Sequence, residues 1–385
     1  MPGWITNSSL VRRTAEVVWT AASRRHLARL DRLAPARCQK RILLGLVHRA
    51  QATHFGRDHD FRRIRSIADY RRLVPLYSRA ELWREYWQLG HEDKFRAATV
   101  RERLSNPSLT VAVRGLSSCH RSALHTALAL AAHLRPRTRL LSGALLFLTE
   151  EGPSNRTEHA LLSERLPALI RPYTVPCTEI EAERFAHLPV TGLIGPAERL
   201  LLLLEQIKQV RGKRWVRDVW PQLSVLLYTR RPSDGPASQL RAEAGEDVLS
   251  LEMVGRAEGP IAVEDPRHGL FRLLVDHGVY FEFVPPEPPL DPPPFERDLR
   301  GGRCPRLGIE EIELGVPYEL ALTSPAGLWA CRLGHVICFE RRQPPLVRFV
   351  ETAICKPTAA ESRRPVRAGS VRDGKDIVAY ASGSY

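Results

Sequence analysis

The chain has 385 residues, 43% of them hydrophobic and 26% charged, with a formal net charge of +14. That length and apolar fraction suit one large core or two smaller ones and exclude a disordered or fibrous protein. Clustered charge would suggest a nucleic-acid surface, but the basic residues run from Arg12 to Lys375 and, apart from Lys40, Lys94, Lys208, Lys213, Lys356 and Lys375, all are Arg; the excess reads as a coding preference, and no nucleic-acid partner is expected.

Residues 9–50 read as helices with Arg-rich outer faces, Leu27, Leu30 and Leu33 sharing one side and Ile42, Leu43 and Val47 extending the pattern. Gly56 then reads as a helix stop, and 79–89 as a further amphipathic helix. Residues 108–116 predict a strand, 121–134 a helix and 140–148 a buried strand, the alternation of an α/β sheet domain. A helix over 158–170, a turn over 171–176, a helix over 195–211 and a strand over 223–228 follow. From Gly278 β-formers crowd around Glu282. After a Pro-rich loop over 284–294, strands are expected at Ile309–Leu314, from Tyr318 to Leu322 and from Leu328, forming a β-meander. Beyond about residue 351 the chain is rich in Arg, Ser and Gly and predicts a poorly ordered tail.

The segment from Thr53 to Phe61, T-x-F-G-R-D-H-x-F, is followed by Ile67, Asp69, Tyr70 and Leu73-Val74-Pro75-Leu76. Together with the block 309–337 it resembles the acyl-acid amido synthetases of the auxin-responsive Gretchen Hagen family, which are adenylate-forming enzymes. The resemblance covers about residues 40–350. It implies an α/β large domain of the adenylate-forming fold, with mixed sheets and flanking helices over 1–265 and a β-rich subdomain over 266–350. Relatives continue past Arg342–Val350 into a small domain; only 35 residues follow here, so this chain is expected to lack it.

The resemblance also implies ATP and Mg²⁺ as cofactors and a small carboxylic acid and an amino acid as substrates. Each site motif departs in part from the family's form. Where relatives carry a phosphate loop, L-S-S-G-T-T-G-x-x-x-K, this chain reads Leu116-Ser117-Ser118 and then Cys119-His120-Arg121, as if the loop and its Lys were deleted. Ser117 and Ser118 are then either a surviving phosphate contact or a cap on the next helix. Thr229 stands beside the adenine position, with Arg230 and Arg231 replacing two glycines. In place of Y-x-x-S-E-G the chain keeps Glu258 and Gly259, so Glu258 is the candidate Mg²⁺ ligand or an ordinary surface carboxylate. Arg332 and Gly334 match G-L-Y-R-Y-R-x-G-D, but His335 replaces its final ribose-binding Asp and offers one acceptor where a carboxylate offers two oxygens.

The seven Cys contain no C-x-x-C pair, and no His pair has a metalloprotease-like spacing, so reduced structural thiols are expected. The N-terminal stretch, interrupted by Arg12, Arg13 and Glu16, lacks a signal-peptide core, and the apolar runs are too short to span a bilayer. A cytoplasmic protein with no membrane partner is the expectation. Two functions fit: an acid–amino acid ligase impaired or inactive in this copy, or a non-catalytic module that binds an acyl ligand or serves as a scaffold. No catalytic residue is assigned.

Overall fold

The computed structural model describes residues 9–87, 107–135, 140–148, 174–177, 181–229, 237–255, 258–285 and 305–350. The chain divides into two units at Val350, and everything described belongs to the first. The expected tail over 351–385, the helix over 158–170 and the Pro-rich loop beyond Pro285 lie outside the described residues.

The helices are α1 (Ser9–Arg32), α2 (Pro35–Ala50), α3 (His54–Asp58), α4 (Ile67–Leu73), α5 (Arg79–Leu82), α6 (Pro107–Leu134), α7 (Ala182–Phe185), α8 (Ala197–Arg211), α9 (Val216–Val219) and α10 (Ala237–Ala244). The strands are β1 (Tyr77–Ser78), β2 (Ala144–Leu148), β3 (Thr174–Cys177), β4 (Val190–Pro196), β5 (Val225–Thr229), β6 (Leu249–Val254), β7 (Ala262–Asp265), β8 (Leu270–Leu273), β9 (Tyr280–Val284), β10 (Pro317–Ser324), β11 (Leu328–Arg341) and β12 (Leu346–Val350). All twelve form one mixed sheet in the order β3-β2-β4-β5-β6-β7-β8-β12-β11-β10-β9, with β1 alongside β11. The first five strands in that order are parallel, and the path turns antiparallel at β6 to β7.

The parallel half is covered on both faces, and its strands are apolar without alternation, as double burial requires. Val225 and Leu227 join the core beneath α1 and α6, while Leu226 and Tyr228 join the core formed with α8. Leu145 and Leu146 divide the same way, which is the period-two geometry of a strand. The antiparallel half packs against α2, α3 and α4 through Leu43, Phe55, Phe61, Tyr70, Phe281 and Trp329.

Several expectations are corrected. Residues 108–116 are not a strand: α6 is one continuous helix from Pro107 to Leu134. Pro opens it at the first position, where no N–H is needed, and Leu116, Cys119, Ala123, Ala127 and Leu130 continue a spacing of three and four that outweighs the short alternation before it. Ser117 and Ser118 therefore lie inside a helix and not at its N-terminal cap position. Gly56 does not stop a helix but sits within α3. A Cβ there would come within 2.1 Å of the Ala50 carbonyl oxygen, so glycine is needed for the chain to close over the end of α2. Ile309–Leu314 is turn and irregular backbone, and the helix from 79 gives way after Leu82 to a π-helical turn over Trp83–Trp87. Thr174–Cys177, expected as part of a turn, is a strand paired with β2.

Candidate functional site

Parallel strands direct their carboxyl ends to one edge of a sheet, the edge at which open α/β sheets bind ligands. Here that edge carries Pro196, Thr229 and Met253, adjacent in register at the ends of β4, β5 and β6. Thr229, half-buried, is thus where a ligand-facing residue of β5 should be. Past β6 the chain reverses tightly. Gly255 has φ 108°, and a Cβ on it would lie 2.3 Å from the Gly259 carbonyl oxygen. The turn carries Glu258 out beside the segment before α5.

That segment is fixed by two devices. β1 runs parallel to β11, with Tyr77 opposite Cys331 and Ser78 opposite Arg332. Ser78 and Glu81 then form a reciprocal capping box: the Ser78 N–H donates to Glu81 Oε2 at 2.7 Å, and the Glu81 N–H donates to Ser78 Oγ at 3.2 Å. Arg79, held between them, donates from Nη2 to Glu258 Oε1 and forms an ion pair with it.

His335 lies close enough to Glu258 to feel its charge. Burial lowers the imidazole pKa, and the carboxylate only partly opposes this, so the ring is neutral near pH 7. Its edge meets Phe349 at 6.0 Å between ring centres. Arg332 points to Glu319 on the neighbouring strand, with Nε donating to Oε2 at 2.9 Å. The structure thus sets Glu258 against Arg79 and within the reach of His335, and places Arg332 on the same strand as His335.

Ser117 and Ser118 do not join this group in the role expected of them. Inside α6 their backbone N–H groups are engaged by carbonyls of the preceding turn. Ser118 Oγ accepts from Arg121 Nη2 at 3.3 Å, and the next residue, Cys119, is buried against Gly278, where a Cβ would stand 2.6 Å from its sulfur. Arg230 and Arg231 lie outside the described residues.

A bound triphosphate needs convergent N–H donors, and a helix interior offers none. Among the described residues no three His, Cys, Asp or Glu side chains gather to hold a metal ion, and the Glu258 carboxylate already faces a guanidinium. The residues at the expected phosphate and Mg²⁺ positions therefore do not fit a Mg²⁺-triphosphate.

Sequence reasoning missed Arg79 and an aromatic wall behind β1. Phe55 stacks on Trp329 at 5.6 Å and 17°, and lies 4.8 Å from Tyr86 between ring centres. His59 bridges this wall, Nδ1 to the Phe55 carbonyl at 2.9 Å and Nε2 to the Tyr77 hydroxyl at 2.9 Å, and burial lowers its pKa. The S-x-x-E spacing at Ser78 and Glu81 was the available signal for the start of α5.

Two family descriptions match the sequence: the GH3 family N-terminal domain over residues 28–83 and the GH3 family central domain over residues 272–352. A probable indole-3-acetic acid-amido synthetase, GH3.12, of Oryza sativa subsp. japonica is 27% identical over 150 residues, covering 34% of this chain and 24% of that protein. The jasmonoyl-L-amino acid synthetase GH3.5 of the same plant is 28% identical over 141 residues, with the same coverage. The chain thus aligns with about a quarter of the length of these relatives. The structure of AtGH3.15 acyl acid amido synthetase in complex with 2,4-DB superposes with a TM-score of 0.58 at 14% identity, over 86% of this chain and 70% of that one. A 2-hydroxyisobutyryl-CoA ligase in complex with 2-HIB-AMP and CoA gives 0.51 at 11%, over 80% and 71%. At these identities the superpositions establish a shared fold, that of adenylate-forming enzymes.

Proposed function

Because the chain belongs to the GH3 family of acyl-acid amido synthetases, we propose that it is a member in which ATP-dependent activation of a carboxylate is impaired or lost. The observation that carries this reading is the continuity of α6 through Ser117 and Ser118, which leaves no free backbone N–H groups where the family resemblance puts the phosphates. Two further features support it. His335 presents a neutral imidazole in place of a ribose-binding carboxylate, and Glu258 is neutralised by Arg79. Any remaining ligase chemistry would use ATP with Mg²⁺, join a small carboxylic acid to an amino acid and proceed weakly.

A second reading is favoured by the Arg79–Glu258 pair. With an internal cation where the family places a metal, the fold serves as an acyl-ligand-binding or scaffold module that works without nucleotide. Pyrophosphate exchange into ATP, measured with indole-3-acetic acid, jasmonic acid and 2,4-DB as trial acids, tests the proposal. Exchange absent or barely above a heat-denatured control is expected, and robust acid-dependent exchange with any of the acids overturns it. Binding of one of these acids without ATP, read by calorimetry, would favour the acyl-binding form of the second reading.

A further inference from the structure

We propose that the outer face of α1 is a docking surface for an anionic lipid bilayer. The inference rests on the surface of this helix and not on the family or its chemistry. α1, which packs on α6, buries Ala15, Trp19, Leu27 and Leu30 on its inner face. The opposite side carries a second apolar line: Leu10, 74% exposed, and Val17, 69% exposed, continue through exposed Ala21 and Ala28. Their spacings of seven, four and seven residues place them on one stripe of an α-helix. Val18, 53% exposed, widens it.

Exposed arginines flank this line, Arg13 and Arg24 on one side and Arg25 and Arg32 on the other. Both acidic residues of the helix are engaged elsewhere. Glu16 accepts the Leu141 N–H at 2.7 Å, and Asp31 pairs with Arg272 at 2.6 Å. An open groove on the same face is lined by Arg25, Ala28, Arg29, Arg32 and Leu33. Arg29 is tied to Asp276 at 2.8 Å, which leaves Arg25 and Arg32 over an apolar floor.

An apolar stripe edged by guanidiniums on aliphatic stems is the chemistry of a helix lying in the headgroup layer of a membrane, with its cations snorkelling to phosphates. A polynucleotide would match the charge but has no use for Leu10 and Val17. A second copy of the chain would match the apolar line but bring the same cations against it. No described helix is long and apolar enough to cross a membrane, so the contact is peripheral. The dispersed charge of the sequence concealed this face, because only the helix brings the flanking arginines together.

The test is co-sedimentation of the full chain with vesicles of phosphatidylcholine alone and of phosphatidylcholine with about one-third phosphatidylserine. Binding to the mixed vesicles only, declining with added salt, is expected. Val17→Asp with Val18→Asp should remove it. Arg24→Glu with Arg25→Glu should weaken it by roughly tenfold or more. All four positions are exposed, so both double variants should melt like the parent, and this is checked by circular dichroism. Absence of binding to either vesicle overturns the proposal, as does binding that neither double variant alters. Binding that survives the Val substitutions and is displaced by a polynucleotide assigns the face to nucleic acid instead. Vesicle-independent self-association that the Val variants abolish assigns it to a second copy.

Discussion

Arg79 and Glu258, 179 residues apart in sequence, form an ion pair that joins the start of α5 to the turn after β6. Their unequal exposure, 58% for the arginine side chain and 20% for the carboxylate, sets the energy. A pair with one partner largely in water is worth about 0.2–1 kcal/mol. Arg79→Ala and Glu258→Gln should each lower unfolding stability by no more than about 1 kcal/mol, with the double variant little worse than either single. Urea denaturation of the four proteins closes the cycle. The pair matters more to charge than to stability, since it occupies the carboxylate a cation would need.

Glu282 on β9 and Arg306 are a different case. The carboxylate is fully buried and receives Arg306 Nε at 3.1 Å as well as Nη2, while Arg306 Nη1 donates to the Val74 carbonyl at 2.5 Å. Arg306→Met leaves a buried charge without its main partner, and Arg71 Nε stands 3.4 Å away. A loss of about 3–5 kcal/mol is expected by chemical denaturation. Removing both charges together, Glu282→Leu with Arg306→Met, should recover most of that loss, because no uncompensated carboxylate then remains.

A histidine cluster under α1 gives the pH dependence. Thr126 Oγ1 lies 3.0 Å from His26 Nε2 and 2.9 Å from His277 Nε2, and His26 packs on His125 at 4.2 Å between ring centres. Burial first, then the neighbouring histidines and Arg29, pull His26 and His277 down to about 3. Arg121 and Arg29 also face His125, Arg272 faces His277, and Asp276 acts in the opposite sense on His26. A histidine with a depressed pKa takes its proton in the unfolded chain first. Stability is therefore complete above the ordinary histidine value of 6.5 and falls as pH drops from there toward about 3. For fully buried His277 the slope is about 1.4 kcal/mol per pH unit. Melting temperatures measured from pH 7 to pH 4 should fall accordingly, and His26→Gln should flatten the profile.

Much of the fold was legible because the core wrote it in periodicity. The apolar faces of α2 and α8 and the uninterrupted runs of β2 and β5 are the patterns that burial on one or both faces demands. β4 is not legible in the sequence, since Gly192 interrupts its apolar run and its last two residues, Gly195 and Pro196, fall within the helix expected over 195–211, which begins only at Ala197. Gly192 has a packing reason, because a Cβ there would stand 2.7 Å from Leu145. The start of α6 was misread because Leu109, Val111 and Val113 alternate over a short window, and only the longer register through Leu130 reveals a helix. At the site, Glu258 and His335 are candidates by motif, but Arg79, the partner of Glu258, is not, since nothing local in a sequence shows which distant carboxylate a surface arginine will meet.

The central claim is that the helix through Ser117 and Ser118 leaves no place for a triphosphate. Calorimetric titration of the purified chain with ATP in the presence of Mg²⁺ tests it most directly. The account predicts no binding heat at ATP concentrations up to about 1 mM, whereas saturable binding in the micromolar range, about 8 kcal/mol of affinity, would contradict it.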